Sequence, residues 1–197
     1  MDKQELLRHL QKEGFSKRVV QAFDRVKRED FVPEGYERYA YEDAALPIGY
    51  GPTISQPSTI AFMLDLLDPQ DEQKILEIGC GCGYVLALLS VLCPHARIYG
   101  TERIKNLAQG AKKRLKKYKN VKVYHTPEGV GTPKKKPFDR ILVSASAYNI
   151  PYYLVEQLRD RGIVVCPVRK SIMKFQRKGD KVEKEDHYGF SFVPLIE

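Results

Sequence analysis

The sequence predicts an α/β protein: a doubly wound, mainly parallel sheet with an N-terminal helical arm and a C-terminal antiparallel hairpin. Three observations predict it. After Pro57, apolar runs of strand length alternate with helix-length amphipathic stretches; a glycine-rich turn follows the first of those runs; and two further runs close the chain around a polar turn at Gly179. A length of 197 residues suits one domain with an added arm. We divide it into residues 1–57, arm and substrate segment, and residues 58–197, the core.

Taken in order, Leu6, Leu7 and Leu10, then Val19, Val20, Phe23 and Val26, have helical spacing, and Gly14 splits them into two short helices. From Asp30 to Pro57 the period is lost in FVPEGYERYAYEDAALPIGYGPTISQP, a stretch rich in Pro, Gly and Tyr. So long an aperiodic run inside a compact chain, with so many aromatic and aliphatic residues, points to an ordered functional segment. Pro57 suits the first turn of a helix, where its missing N–H costs nothing, and Ile60, Ala61, Leu64 and Leu67 form that helix's stripe. A buried strand follows at Lys74 to Ile78, then an apolar helix from Tyr84 to Leu92. A second strand spans Ala96 to Thr101, and the next helix turns Ile104, Leu107, Ala108, Ala111 and Leu115 inward. Further strands are expected at Val121 to Tyr124, Arg140 to Ser144 and Gly162 to Pro167, a helix at Pro151 to Leu158, and hairpin strands at Ile172 to Gln176 and Tyr188 to Val193.

Lys plus Arg number 33 and Asp plus Glu 25, for a formal charge of +8, which brings polyanionic partners to mind. The surplus is local. Residues 103–136 hold twelve basic residues and one acid, Glu128, and the remainder is slightly acidic. Lys105, Lys112, Lys113, Lys116 and Lys117 fall on the outer faces of a crossover helix, and only Tyr118 and Tyr124 are interleaved. That reads as a solvated face rather than a nucleic-acid platform. No apolar run has the roughly 18 residues that span a bilayer, and the first residues alternate charge where a signal peptide would be apolar, so a cytoplasmic protein is expected. Cys80, Cys82, Cys93 and Cys166 lack the paired CxxC spacing of a zinc site and are expected to be reduced thiols, with no metal.

In such a fold ligands bind beyond the carboxyl ends of the strands, so the motifs there carry the chemistry. ILEIGCGCGY places Gly79, Gly81 and Gly83 after the first strand, where glycine allows a tight turn and close approach to a ligand. A tight strand-to-helix turn alone would explain them, but two acids add to the pattern. Glu77 ends an otherwise apolar strand, a costly place for a charge without a ligand or donor. Glu102 follows the second strand, 23 residues after Gly79, about the spacing at which an acid accepts hydrogen bonds from ribose hydroxyls. A ribose-containing cofactor is indicated. The histidines, His9, His95, His125 and His187, read as surface or packing residues.

The pattern (E/D)xGxGxG resembles the cofactor loop of class I methyltransferases. The segments FVP (31–33), AYEDAALPIGYGPTISQP (40–57), LEIGCGCGY (76–84), PFDRILVSASA (137–147), VVCPV (164–168) and FVPL (192–195) stand in the order and spacing of the protein-L-isoaspartate (D-aspartate) O-methyltransferases. The resemblance covers most of the chain from Val26 onward. It implies a repair enzyme that transfers the methyl of S-adenosylmethionine to the free α-carboxylate of L-isoaspartyl residues in damaged proteins, acting as a monomer. It also implies Ser55 as the catalytic residue, with an N-terminal helix cap as its other reading. Cofactor contacts would come from Ile54, Ser55, Glu77, Gly79, Cys80, Gly81, Glu102, Arg103 and Glu128, and substrate contacts from Thr53, Ser55, Ala145, Val193 and Pro194. Where the family shows GDG after the third strand, this chain reads HTPEGVG, with Pro127 in the acid's place and Glu128 one residue on. That departure leaves two alternatives: a divergent methyltransferase acting on RNA or a small molecule, and a non-catalytic module of the same fold.

Overall fold

The computed structural model describes residues 1–127, 135–149, 151–192 and 194–195. Helices α1 (Lys3–Lys12) and α2 (Lys17–Arg25) form the arm. Asp2 and Glu5 close a reciprocal capping box on α1, and the Ser16 side chain caps α2 by accepting from Val19 N. The arm is not loosely attached: Ser16 Oγ donates to Asp65 Oδ1 at 2.5 Å, and Phe23 meets the Tyr84 ring edge-on with centroids 6.1 Å apart.

Two short strands, β1 (Leu46–Pro47) and β2 (Thr53–Ile54), pair antiparallel and lead into α3 (Pro57–Leu67). Then come β3 (Lys74–Ile78), α4 (Tyr84–Leu92), β4 (Arg97–Glu102), α5 (Lys105–Arg114), β5 (Val121–His125), β6 (Phe138–Val143), α6 (Tyr152–Val155), β7 (Leu158–Val168), β8 (Ser171–Lys178) and β9 (Lys181–Tyr188). The last seven strands make one mixed sheet in the order β5-β4-β3-β6-β7-β8-β9, parallel up to β7 and antiparallel beyond. The strand order reverses around β3, with β4 on one side and β6 on the other, which is the crevice where ligands of open α/β sheets sit.

Side-chain alternation builds a core on each face. Ile75, Ile98 and Leu142 join a buried cluster with Leu6, Phe23, Leu64, Leu88 and Leu107 from α1 to α5. Leu76, Ile78, Ile141 and Val143 point the other way and meet Leu154, Val155 and Phe175. Lys105, Lys112, Lys113, Lys116 and Lys117 are exposed, on the outer side of α5 and the turn after it.

Two expected elements are corrected. The helix expected over Pro151 to Leu158 is only the four-residue α6, because Phe138 pairs with Leu158 and Phe138 N bonds Gln157 O at 2.8 Å, drawing the following residues into β7. The second hairpin strand is Lys181–Tyr188, not Tyr188 to Val193. Gly179, at φ +59°, turns the chain so that Lys178 faces Lys181, and β9 is a polar edge strand that apolar patterning misses. Phe190 instead stacks on Phe62, centroids 5.4 Å apart, as the chain runs back toward the crevice.

Candidate active site

The glycine turn after β3 is fixed from β4. Gly79 N and Cys80 N both donate to Thr101 O, at 2.9 and 3.0 Å. Glu102 then fastens the turn with its carboxylate: Oε2 accepts from Gly81 N and Oε1 from Ile104 N, both at 2.9 Å. A carboxylate has about four acceptor positions, so lone pairs remain for further donors. Gly81 lies at φ +51°, a conformation that favours glycine, and a Cβ there would stand 2.9 Å from Ile48 Cδ1 and push that side-chain end aside.

Glu77 is the unusual group. It is 1% exposed, Ser144 Oγ donates to its Oε1 at 2.7 Å, and its Oε2 is buried with no partner among the described residues. Burial pushes this carboxyl up to about 8; the Ser144 hydrogen bond opposes that shift and nearby Glu102 reinforces it. The site therefore presents a buried carboxyl that is largely neutral at pH 7 and that neighbouring positive charge would ionise. That oxygen, the close glycine turn and Glu102 at the end of β4 fit a cationic, ribose-bearing cofactor. The thiols beside them are not nucleophiles at neutral pH: burial holds Cys80 well above the usual thiol range and pushes Cys82 up to about 11. All four cysteines are buried and none is in a disulfide among the described residues.

The hairpin β1–β2 is folded over this turn. Gly49, Tyr50 and Gly51 all have positive φ, and the tip is tied to α5 by Asn106 Nδ2, which donates to Tyr50 OH at 2.9 Å. This arrangement sets Ile48 on Gly81 and delivers Thr53, Ile54 and Ser55 to the crevice. Ser55 does not cap α3. The cap position is Gln56, and the acceptors come from Asp43, whose carboxylate takes Ser58 N at 2.8 Å and Gln56 Nε2 at 2.9 Å. Ser55 Oγ has no hydrogen-bond partner among the described residues.

Two clefts open here. One, of about 480 Å³, is lined by Ile54, Glu77, Gly79, Cys80 and Gly81 with Ile48 and Met63. The other, of about 920 Å³, is lined by Gln56, Thr59, Ser191, Phe192 and Pro194. Thr53, Ser55 and Ser144 line both. The structure thus brings together Thr53, Ile54, Ser55, Glu77, Gly79, Cys80, Gly81 and Pro194. Glu102 lines neither cleft and holds the turn through Gly81 N and Ile104 N; Ala145 is buried beside Gly79, its Cβ 3.9 Å from where a Gly79 Cβ would be. Arg103 has an exposed side chain and lines neither cleft, although its carbonyl meets His125 Nε2 at 3.1 Å. Glu128 and Val193 lie outside the described residues. Sequence reasoning singled out neither Ser144 nor Asp43. The position of Ser144 at the end of β6, next to β3, was the available signal; Asp43 stands in the segment 40–57 that carries the resemblance, but its role as an acceptor shows only with its distant partners. Among the described residues no cluster of three or more His, Cys, Asp or Glu could hold a metal.

The sheet order, the glycine turn with its two acids, and the crevice at the strand ends define a class I methyltransferase. The family model for protein-L-isoaspartate(D-aspartate) O-methyltransferase (PCMT) matches residues 1–197, and the chain belongs to that family. Curated relatives called protein-L-isoaspartate O-methyltransferase include one from Parvibaculum lavamentivorans, 40% identical over 206 residues, covering 100% of this chain and 92% of that protein. Another, from Methanothrix thermoacetophila, is 44% identical over 186 residues, covering 92% of this chain and 89% of the relative. A solved protein-L-isoaspartate O-methyltransferase superposes with a TM-score of 0.90 at 26% identity, covering all of this chain and 66% of that one. A Plasmodium falciparum structure described as a beta-aspartate methyltransferase (PCMT) in complex with S-adenosyl-L-homocysteine gives 0.85 at 24% identity, covering 100% of this chain and 99% of the other, and shares the fold.

Proposed function

We propose that Ser55 is the catalytic residue of this S-adenosylmethionine-dependent protein-L-isoaspartate O-methyltransferase, its hydroxyl holding one oxygen of the substrate's α-carboxylate while the other accepts the methyl group. The observation that carries this role is the position of Ser55 on both clefts, with a hydroxyl that nothing nearby engages. The acceptor is the free α-carboxylate of L-isoaspartyl residues in damaged proteins. A carboxylate with an ordinary pKa of about 3.9 is ionised at neutral pH and needs no general base, which accounts for a site without a Ser-His or Cys-His pair. S-adenosylmethionine, when bound, supplies an electrophilic methyl group on a positively charged sulfur.

The protein's contribution is positioning and exclusion of water. Thr53 and Ser55 provide hydroxyl donors at the junction, where the Ser144 hydroxyl is committed to Glu77, and Phe192 and Pro194 wall the substrate cleft. Glu77, Gly79, Cys80, Gly81 and Ile54 hold the cofactor; Glu102 keeps the Gly81 amide in place and offers its remaining lone pairs to hydroxyl donors. Glu77 balances positive charge with a carboxyl that has already lost its water. No helix among the described residues is long and apolar enough to cross a membrane. The test is transfer of labelled methyl to an isoaspartyl peptide and to its normal aspartyl twin. The isoaspartyl peptide alone becomes labelled if the reading holds, and equal labelling of both contradicts it.

A further inference from the structure

A third concavity, of about 1410 Å³, lies beside the substrate cleft and takes no part in the reaction described above. Its walls carry Tyr148, Tyr152, Arg169, Lys170, Asp186 and Tyr188, and the three tyrosines are 78%, 49% and 77% exposed. Large rings left this open on a protein surface mark a binding surface, because tyrosine gives wide contact area at small entropic cost.

Arg169 is the organised element. It sits at φ +56°, a conformation that favours glycine, so a side chain is kept there at a cost to the backbone. Its guanidinium lies over the Tyr148 ring, 5.0 Å from the centroid, and Nε donates to Tyr148 O at 3.2 Å. Arg169 N bonds Ala147 O at 3.1 Å, and Ser146 Oγ donates to Arg169 O at 3.3 Å. The planar group is therefore held in place, and its two Nη groups have no partner among the described residues. With Lys170 beside it and Asp186 the one acid on the walls among the described residues, the described lining is net positive.

The concavity shares no lining residue with the substrate cleft, but the same short segment serves both. Ser146 bridges to Pro194, a wall residue of that cleft, and Leu195 N bonds Ser146 O at 2.7 Å. Tyr148 follows Ser144, another wall residue, by four positions, so their Cα atoms are at most about 14 Å apart. That is the reach of about four extended residues of a bound polypeptide.

We propose that this concavity is a substrate subsite that takes an acidic side chain of the damaged polypeptide, within about four residues of the isoaspartyl position, with Arg169 gripping the carboxylate and the tyrosines packing the flanking chain. It rests on the isoaspartyl reading of the neighbouring site and adds a sequence preference to it. An immobilised guanidinium fork suits a carboxylate bidentately and loses little freedom in doing so.

The test uses isoaspartyl peptides with Glu, Gln or Lys placed two to four residues to either side, assayed with the wild type and with Arg169→Gly, which suits the backbone at that position. In the wild type the Glu peptide is expected to have a KM about three- to tenfold below its Lys counterpart on at least one side, the gap shrinking in salt. In Arg169→Gly the ratio falls toward one while the Gln peptide keeps its kcat and KM. Methylation of every peptide without flank dependence overturns the subsite alone, as does a preference that survives Arg169→Gly. Methylation of none, by a protein that still binds cofactor, overturns the isoaspartyl reading and the subsite with it.

Discussion

Replacing Glu77 by Gln tests the electrostatics of the site without altering its shape. Burial holds the native carboxyl at about 8, against near 4.5 when unfolded, because folding strips its water and leaves Oε2 without a partner among the described residues. Between those values the folded protein holds a proton that the unfolded chain has released. Stability from this group is therefore fully present below the lower value and is lost as pH rises toward 8, at about 1.4 kcal/mol per pH unit. From about pH 5 to about pH 8 the loss amounts to about 4 kcal/mol. Gln copies the neutral acid, still accepts from Ser144, and does not titrate. The assay is denaturant unfolding of cofactor-free wild type and Glu77→Gln across that range, since subtracting the two curves cancels every other titrating group. The difference is expected to be small at the acid end and to widen to a few kcal/mol in the variant's favour near pH 8. Saturating S-adenosylmethionine should narrow the gap by stabilising the ionised wild type. Parallel curves across the range would refute the account of a desolvated, unpartnered carboxyl.

Asp43→Ala removes the acceptor of both Ser58 N and Gln56 Nε2, and is expected to cost about 1 to 2 kcal/mol of stability by unfolding while also lowering turnover through the displaced Ser55 segment. Glu102→Ala frees the amides of Gly81 and Ile104 and is expected to weaken S-adenosylmethionine binding by about 1 to 3 kcal/mol in calorimetry. Gly81→Ala meets both a left-handed backbone and Ile48 Cδ1 at 2.9 Å, and should lower cofactor affinity with Ile48 intact but regain part of it in combination with Ile48→Ala.

Much of this site was legible because it is local in sequence. The glycine turn, Glu77 at a strand end and Glu102 at the next one follow from a β-α-β unit whose geometry any chain must obey, and the segment ending TISQP announced itself by losing all periodicity. What stayed hidden depends on partners far along the chain. Asp43 acts on a helix that begins fourteen residues later, and the value of Ser144 comes from the register that sets β6 beside β3. Ser55 looked like a cap from its spacing alone, and only the bonds of Asp43 remove that duty from it. Strand β9 escaped because an edge strand of alternating charges, paired on one side by β8, needs no apolar face. The +8 charge pointed outward from the start: its lysines cover α5, away from the crevice where the functional residues meet.

The role of Ser55 at the meeting point of two clefts is tested by one paired measurement. Wild type and Ser55→Ala are compared for methyl transfer to an isoaspartyl peptide, with S-adenosylmethionine affinity and melting temperature read on the same samples. Turnover in Ser55→Ala is expected to fall about ten- to hundredfold, the effect of one hydrogen bond to a charged acceptor, with cofactor affinity and melting temperature nearly unchanged. Full turnover in Ser55→Ala, or a loss explained by a lower melting temperature, would contradict it.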